Sequence, residues 1–259
     1  MKFSCLSKTF VIGEYAVLQA GSAIIALSEP AFTLTLEQGE SNCPFPKDSP
    51  AYRFYERNAA TFNHYHLTFT DPYEGRGGFG ASSAQFLLLY RAYITLQDPN
   101  AELDYASLHQ AYLDAAWDGQ GTPPSGADVI AQTLNAPFAL VTQNPWQAIP
   151  LTWPFKDMTY HIEHTTNKVK THEHLRTKPN VAANQLHTII ERATGAWQSS
   201  DSQAFADAIN AYAECLKQQG LQTEASQTLC QQILAKPSVC AVKGCGALGA
   251  DVLFIVKNN

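Results

Sequence analysis

A glycine-rich stretch runs directly into a long apolar segment, GRGGFGASSAQFLLLYRAY at residues 75–93. From Ala81 the chain is apolar almost all round, which predicts a buried central helix over 81–97. A glycine-rich turn exposes backbone N–H groups, and a helix start carries partial positive charge, so together they favour an anion such as phosphate. A turn packed tightly between helix and sheet would use the same residues, so the stretch alone leaves both interpretations open.

The stretch matches neither of two common nucleotide-binding motifs. No GK[ST] follows it, as a P-loop requires, and its glycine spacing differs from the dinucleotide-binding fingerprint. A phosphate site here would therefore belong to another class of protein.

The composition excludes several classes of function. The chain has 259 residues, of which 15% are charged, and a formal net charge of −6. This leaves no basic surplus for a nucleic-acid backbone, so we expect no nucleic-acid partner. The longest apolar runs are about ten residues, too short for a membrane helix, so we expect no membrane partner. The N-terminus lacks a signal-peptide pattern and predicts a mature cytoplasmic protein. Six cysteines without a CxxC pair or zinc spacing predict reduced thiols.

The order of predicted elements indicates an α+β fold, because strands and helices segregate instead of alternating. Alternating or β-branched patterns predict strands at 8–13, 22–27, 31–38, 64–71, 136–141, 158–164, 238–243 and 251–256. Helical patterns cover 50–60, 81–97, 101–117, 124–134, 180–197, 202–219 and 223–235. Ser125 is the predicted N-cap of the helix that contains Asp128. Three prolines within 144–157 mark the expected boundary between domains 1–154 and 155–259.

Two further segments, together with the glycine stretch, resemble the three signature motifs of the GHMP kinases. They are SKTFVIGEYAVLQAGSAI at 7–24 and VKGCGALGADVLFIV at 242–256, and their order and approximate separations also fit. The phosphomevalonate kinase branch is the most similar, on GEYAVLQAG, QGTPPSGADVIAQTL, GCGALGAD and the segment HTTNKVKTHEHL at 164–175. The resemblance implies a two-domain GHMP kinase fold, with a ribosomal S5 domain 2-like N-terminal domain and a ferredoxin-like C-terminal domain that is short at its end.

The resemblance also implies a reaction and a set of site residues. Family members transfer the γ-phosphoryl group of ATP, with Mg²⁺, to a small acceptor; here the implied acceptor is phosphomevalonate, which becomes the diphosphate in isoprenoid synthesis. Lys8 and Asp128 correspond to the catalytic pair, and Ser82 to a magnesium ligand. The implied phosphate-binding residues are Arg76, Gly77, Gly78, Gly80, Ala81, Ser82 and Ser83, and those on the substrate side are Glu14, Tyr15, Gly246, Ala247 and Gly249. A homodimer is a further expectation.

Alternatives to this interpretation stay open at the level of the sequence. Lys8 is equally typical of a solvated strand edge, and Asp128 of a helix cap. Mevalonate kinase, or another GHMP kinase with an alcohol acceptor, is the second candidate; Tyr15 and Asp251 favour the phosphomevalonate branch. A non-catalytic nucleotide-binding relative is the third, since Leu248 and Ala250 replace family glycines. Leu248 and Ala250 both have a Cβ, so each would be strained at a position where the backbone needs a positive φ.

Overall fold

The computed structural model describes residues 1–165 and 183–259, and these residues contain eight strands and eight α-helices. The strands are β1 Lys2–Ile12, β2 Ala23–Gln38, β3 Tyr65–Thr70, β4 Phe138–Thr142, β5 Gln147–Leu151, β6 Met158–His164, β7 Val239–Cys245 and β8 Val252–Asn258. The helices are α1 Pro50–Arg57, α2 Ala59–Phe62, α3 Ala81–Gln97, α4 Tyr105–Ala116, α5 Ala127–Ala131, α6 Ala183–Ser199, α7 Ser202–Gln218 and α8 Glu224–Leu234. Short 3-10 turns cover Ala16–Gln19 and Ala247–Gly249.

Two antiparallel sheets organise the fold. The first has the order β1-β2-β4-β5, with β3 paired to the far half of β2, and the second has the order β6-β8-β7. The helices fall between and after the strands without regular alternation, which confirms the predicted α+β class. Helix α3 has the predicted bounds, and its apolar residues Phe86, Leu87, Leu88 and Leu89 are fully buried.

The structure corrects the prediction of separate strands at 22–27 and 31–38, because both belong to β2. Pro30 suggested a break, since proline cannot donate a ladder hydrogen bond. Along the neighbouring strand β1, however, the register shifts between Cys5 and Ser7, opposite this part of β2. The proline therefore lies where the ladder is already interrupted, and the strand continues through it.

The structure adds a strand within 144–157 that was not among the predicted strands. Strand β5 lies within this range and pairs with β4 at the end of the first sheet. Pro150 is tolerated there because one side of an edge strand forms no ladder. The division into domains 1–154 and 155–259 stays a prediction.

One apolar core joins the two halves of the chain. Val11, Ile12 and Ile24 from the first sheet pack in one cluster with Phe205 of α7 and Phe254 of β8. A second cluster lies on the other face of the first sheet, around α3. The N-terminal strands are therefore covered on one side by helix α3 and on the other by the C-terminal half. All six cysteines are free thiols. Within residues 1–165 and 183–259, no helix combines the length and apolar character needed to cross a bilayer.

We expect Gly195→Ala to stabilise the protein. Gly195 is exposed inside α6, and a Cβ built there meets nothing within 4 Å. Alanine restricts the unfolded chain more than glycine does, so the free energy of unfolding should rise by about 0.5–1 kcal/mol. Urea denaturation of both proteins measures the change, and an unchanged or lower midpoint would contradict it.

Candidate active site

The glycine-rich residues 75–80 before α3, called the glycine loop below, lie against strand β1. The backbone N–H of Lys8 donates to Phe79 O at 2.9 Å, and Thr9 Oγ1 donates to Gly78 O at 3.4 Å. These bonds join a strand at the start of the chain to a loop about seventy residues later. The first and second signature segments therefore meet.

The loop ends in a helix start whose N–H groups are open. Gly80 caps α3 with φ +84°, and no side chain caps this end. The first helical hydrogen bond runs from Ala84 N to Gly80 O, so the preceding N–H groups have no partner within the helix. Ser82 is exposed in this first turn, whereas Ser83 is buried and donates its hydroxyl to Gly80 O at 3.0 Å. The open N–H groups and the Ser82 hydroxyl are suited to a phosphate group.

Lys8 and Asp128, 120 positions apart in the sequence, are neighbours. Lys8 Nζ lies 3.7 Å from Asp128 Oδ2, and the two side chains are 15% and 24% exposed. The stem of Lys8 crosses Gly80, where an added Cβ would approach Lys8 Cγ to 2.6 Å. The ammonium, the carboxylate and the open helix start thus form one partly exposed cluster.

Asp128 lies in the first turn of α5, but the predicted N-cap is wrong. The N-cap is Gly126, with φ +71° and no side-chain cap. Ser125 Oγ instead accepts from Ala127 N at 3.3 Å. The rings of His109 and Tyr112 pack against Gly126 and leave no room for a Cβ there. The helix start is therefore positioned by packing on α4, and Asp128 is left to face Lys8.

Asp251, in the third signature segment, lies against the glycine loop. An added Cβ would come within 2.7 Å of Asp251 Oδ1 at Gly77, and within 2.2 Å of Oδ2 at Gly246. Asp251 is buried. Its carboxylate therefore occupies the space that the two glycines leave. The second and third segments meet across this side chain.

The turn after β1 reaches the C-terminal half. Tyr15 Oη accepts from Leu248 N at 3.2 Å, and Tyr212 Oη donates to Glu14 O at 2.6 Å. The Glu14 carboxylate also forms an ion pair with Lys243 of β7. Lys243, which is 0% exposed, was not among the predicted site residues. The run SVCAVKGC carries a single charge, and nearly every residue of the strand is buried. That lone charge is the signal that could have identified Lys243.

Burial and the charge of the partner shift the pKa values of both members of this ion pair. Desolvation raises the pKa of the Glu14 carboxyl above its usual value, and the charge of Lys243 opposes that rise. Burial also disfavours the ammonium of Lys243, but Cys245 and Glu14 raise the pKa of Lys243 above its ordinary value. Each group thus favours the charged form of the other, as a buried pair must. Burial raises the pKa of Tyr15 to about 12, so its hydroxyl stays protonated.

The remaining predicted site residues lie in the third signature segment, at Arg76 and in the segment around Lys168. Gly249 and Gly246 have positive φ, as does Leu248 at +53°, whereas Ala250 does not. The strain expected from replacing glycine therefore applies to Leu248 alone. Ala247 begins the 3-10 turn of this segment. Arg76 is exposed just before the glycine loop. The predicted segment around Lys168 lies outside the described residues, apart from its first two positions.

Magnesium fits this site only as a partner of a nucleotide. Within the described part of the chain, no three His, Cys, Asp or Glu side chains lie close enough to hold a metal. Mg²⁺ in kinases binds mainly phosphate oxygens and water, with one or two protein ligands. The exposed hydroxyl of Ser82 at the start of α3 meets that requirement.

We expect Gly77→Ala to be harmful because of Asp251. Gly77 does not need a positive φ, but its added Cβ would overlap the buried carboxylate. Such overpacking should cost about 1–3 kcal/mol of stability and weaken nucleotide binding. In an Asp251→Ala background the same change should cost much less. Gly195→Ala, which has open space, is the control for the change itself. An equal cost in both backgrounds would contradict this explanation.

Comparison with solved structures identifies the fold. The Streptococcus pneumoniae phosphomevalonate kinase in complex with phosphomevalonate and AMPPNP matches with a TM-score of 0.80 at 13% identity, over 100% of this chain and 92% of that one. The Methanococcus jannaschii mevalonate kinase matches at 0.72 and 14%, over 100% and 90%. The Lactococcus lactis galactokinase complexed with galactose matches at 0.72 and 12%, over 99% and 85%.

Sequence comparison alone finds no relative. No protein-family model matches the chain, and no curated protein matches it significantly. The three solved structures named above are a phosphomevalonate kinase, a mevalonate kinase and a galactokinase, and each match covers this chain almost end to end. The chain has the fold of the GHMP kinases.

Proposed function

We propose that the chain is an ATP-dependent kinase for a small molecule, and that its acceptor is phosphomevalonate. The observation that carries the proposal is the contact between Lys8 and Asp128 beside the open start of α3. A cation, a carboxylate and backbone N–H groups without helical partners, close together, are the parts that phosphoryl transfer requires. The similarity to a phosphomevalonate kinase bound to phosphomevalonate and AMPPNP supports both the donor and the acceptor.

Each residue has a task in this proposal. The N–H groups at the start of α3 and the loop from Gly77 to Ser83 bind the triphosphate. Lys8 stabilises the negative charge that develops on the transferred group. Asp128 orients the acceptor oxygen and, for an alcohol acceptor, accepts its proton. Mg²⁺, held at Ser82 with the phosphates, neutralises phosphate charge when it is bound.

The acceptor itself carries a phosphate, so its pocket needs cations. Lys8 and Arg76 are available among the described residues, and Lys168, Lys170 and Arg176 lie outside them. Glu14, Tyr15 and the segment from Gly246 to Gly249 form the substrate side of this proposed cleft. Cytoplasmic localisation and a homodimer remain part of the proposal.

Two other functions have specific support. Mevalonate kinase structures also match the fold, so an alcohol acceptor is the second candidate. The left-handed Leu248 in the third segment favours a non-catalytic nucleotide-binding relative. The retained Lys8–Asp128 contact argues against the latter, because a protein without the reaction has no need to keep it.

A coupled assay for ADP release distinguishes the three. Purified protein with ATP and Mg²⁺ receives phosphomevalonate in one series and mevalonate in the other, with a no-acceptor control. We expect turnover with phosphomevalonate. Turnover with mevalonate alone would overturn the proposed acceptor. No turnover with either, while ATP still binds, would favour the non-catalytic alternative.

A further inference from the structure

Helix α5 carries Asp128 and is too short to hold its own place. It has 5 residues, Ala127–Ala131, whereas isolated helices shorter than about 12 residues are marginal in water. Its position against strand β1, which carries Lys8, must therefore be set by contacts with neighbouring elements. One such contact comes from Gln132, which caps the C-terminal end of the helix and is fully buried.

The side chain of Gln132 reaches the backbone of β1. Its Nε2 donates to Leu6 O at 2.8 Å, although the two residues are 126 positions apart in the sequence. Leu6 lies where the pairing of β1 with β2 shifts register, and it has no partner residue on β2. The oxygen of the same amide, Gln132 Oε1, is buried without a hydrogen bond among the described residues. A buried amide that is only half satisfied costs stability, so stability alone does not account for a glutamine here.

The Gln132 contact lies one step away from the candidate catalytic pair on both elements. Leu6 and Lys8 are two residues apart, which separates them by about 6.6 Å along a strand. Asp128 and Gln132 are four residues apart on one face of the helix, which separates them by about 6 Å along its axis. Because the two spacings match, the two contacts run side by side between the same helix and strand. The first therefore fixes the geometry of the second.

Another side chain holds this end of α5 without the amide of Gln132. Arg91 of α3 donates to Thr133 O at 2.7 Å and to Ser4 O at 3.3 Å. Helix and strand are therefore expected to stay together when the amide is removed, and the contact that is lost is the one beside the candidate catalytic pair. The effect of Gln132 on the reaction can thus be separated from its effect on folding.

We propose that Gln132 is a positioning residue that fixes the distance between Asp128 and Lys8. It ties α5 to β1 at Leu6, so that the carboxylate of the helix and the ammonium of the strand meet beside the start of α3. This inference rests on the proposed kinase function and adds a residue to its machinery. Gln132 touches neither acceptor nor nucleotide in this arrangement, so its effect is on the rate of transfer and not on nucleotide binding.

The test uses Gln132→Met, which keeps the length of the side chain and removes the donor. Its kcat should fall about 10- to 100-fold, the cost of a misplacement of about 1 Å, with KM for ATP changed less than about threefold. In an Asp128→Asn background the same change should lower kcat by less than a further factor of about three, because the position of a missing carboxylate no longer matters.

Gln143→Met is the matched control. Gln143 Nε2 also donates to a distant backbone carbonyl, Val17 O at 2.8 Å, but it joins the residue after β4 to the turn after β1. We expect this variant to lose some stability and to keep kcat at the wild-type value. An equal loss of kcat in both variants would mean that any such amide matters, and would contradict a specific role for Gln132.

The outcomes separate this inference from the function on which it rests. A folded Gln132→Met variant with wild-type kcat would overturn the role of Gln132 and leave the kinase proposal intact, and so would a full loss in the Asp128→Asn background. If Gln132→Met does not fold, Gln132→Asn replaces it, since its amide is one methylene too short to reach Leu6. Failure of both variants to fold would make Gln132 a structural residue and would also overturn the inference.

A wild-type protein without transfer to any acceptor would overturn the kinase proposal alone. A crystal structure of Gln132→Met then decides the inference. We expect the separation of Lys8 Nζ and the Asp128 carboxylate to increase in it. A separation that stays at 3.7 Å would overturn the positioning role.

Discussion

Asp128→Asn should lower kcat at least about 100-fold, and at most about 10,000-fold, with little effect on the fold. The amide keeps the shape of the carboxylate and can still accept the hydrogen bond from Val129 N, which is 3.0 Å from Asp128 Oδ1. It no longer attracts the ammonium of Lys8 or orients the acceptor oxygen as a carboxylate does, and for an alcohol acceptor it cannot take the proton. Steady-state kinetics with saturating ATP measures the loss. Nucleotide affinity and melting temperature should stay close to wild type, because the side chain is partly exposed.

A matched control separates chemistry from packing. Asp207 is exposed on α7, where it accepts from Gln203 Nε2 at 2.9 Å. Asp207→Asn makes the same chemical change outside the candidate site and should leave kcat unaltered. A melting temperature that falls steeply for Asp128→Asn alone would mean that this carboxylate supports the structure instead of the reaction.

Lys8→Met should lower kcat by about 100- to 1,000-fold, the typical cost of one electrostatic contact to a transition state. Methionine keeps an apolar stem of similar length across Gly80, so the packing of the glycine loop should survive. The substitution removes the charge next to Asp128. Pre-steady-state kinetics, which measures the transfer step directly, is the suitable measurement.

The control for this variant lies on the same strand. Lys2 is exposed near the start of β1, and Lys2→Met should leave transfer at the wild-type rate. Should Lys8→Met retain activity within about threefold, the assignment of transition-state stabilisation to Lys8 would be wrong.

Most elements of the fold could be predicted from local patterns. Helix α3 has its predicted bounds because its apolar residues leave no polar face, and β6 has its predicted bounds because its pattern is short and clearly bounded. The errors occur at prolines. Pro30 lies in a continuous strand, and Pro150 in an edge strand, because in each place the missing N–H falls where the ladder is already open. Which positions are open depends on neighbouring strands, so the local sequence cannot reveal it.

The candidate site could be predicted only in part. Lys8 and Asp128 were paired by resemblance alone, since nothing in their local sequences indicates that β1 and α5 meet. Ser82 and Ser83 point in different directions because consecutive helical residues are about 100° apart, but which of them faces solvent depends on packing. Lys243 was missed because a lysine near a strand end normally reaches water, and its partner lies 229 positions away.

A crystal structure with a non-hydrolysable ATP analogue and Mg²⁺ tests the central claim most directly. We expect the phosphates to lie on the backbone N–H groups between Gly77 and Ser83. The terminal phosphoryl group should lie within about 4 Å of both Lys8 Nζ and the Asp128 carboxylate, a separation set by near-attack geometry. A nucleotide bound elsewhere, or a terminal phosphate directed away from these two side chains, would contradict the account.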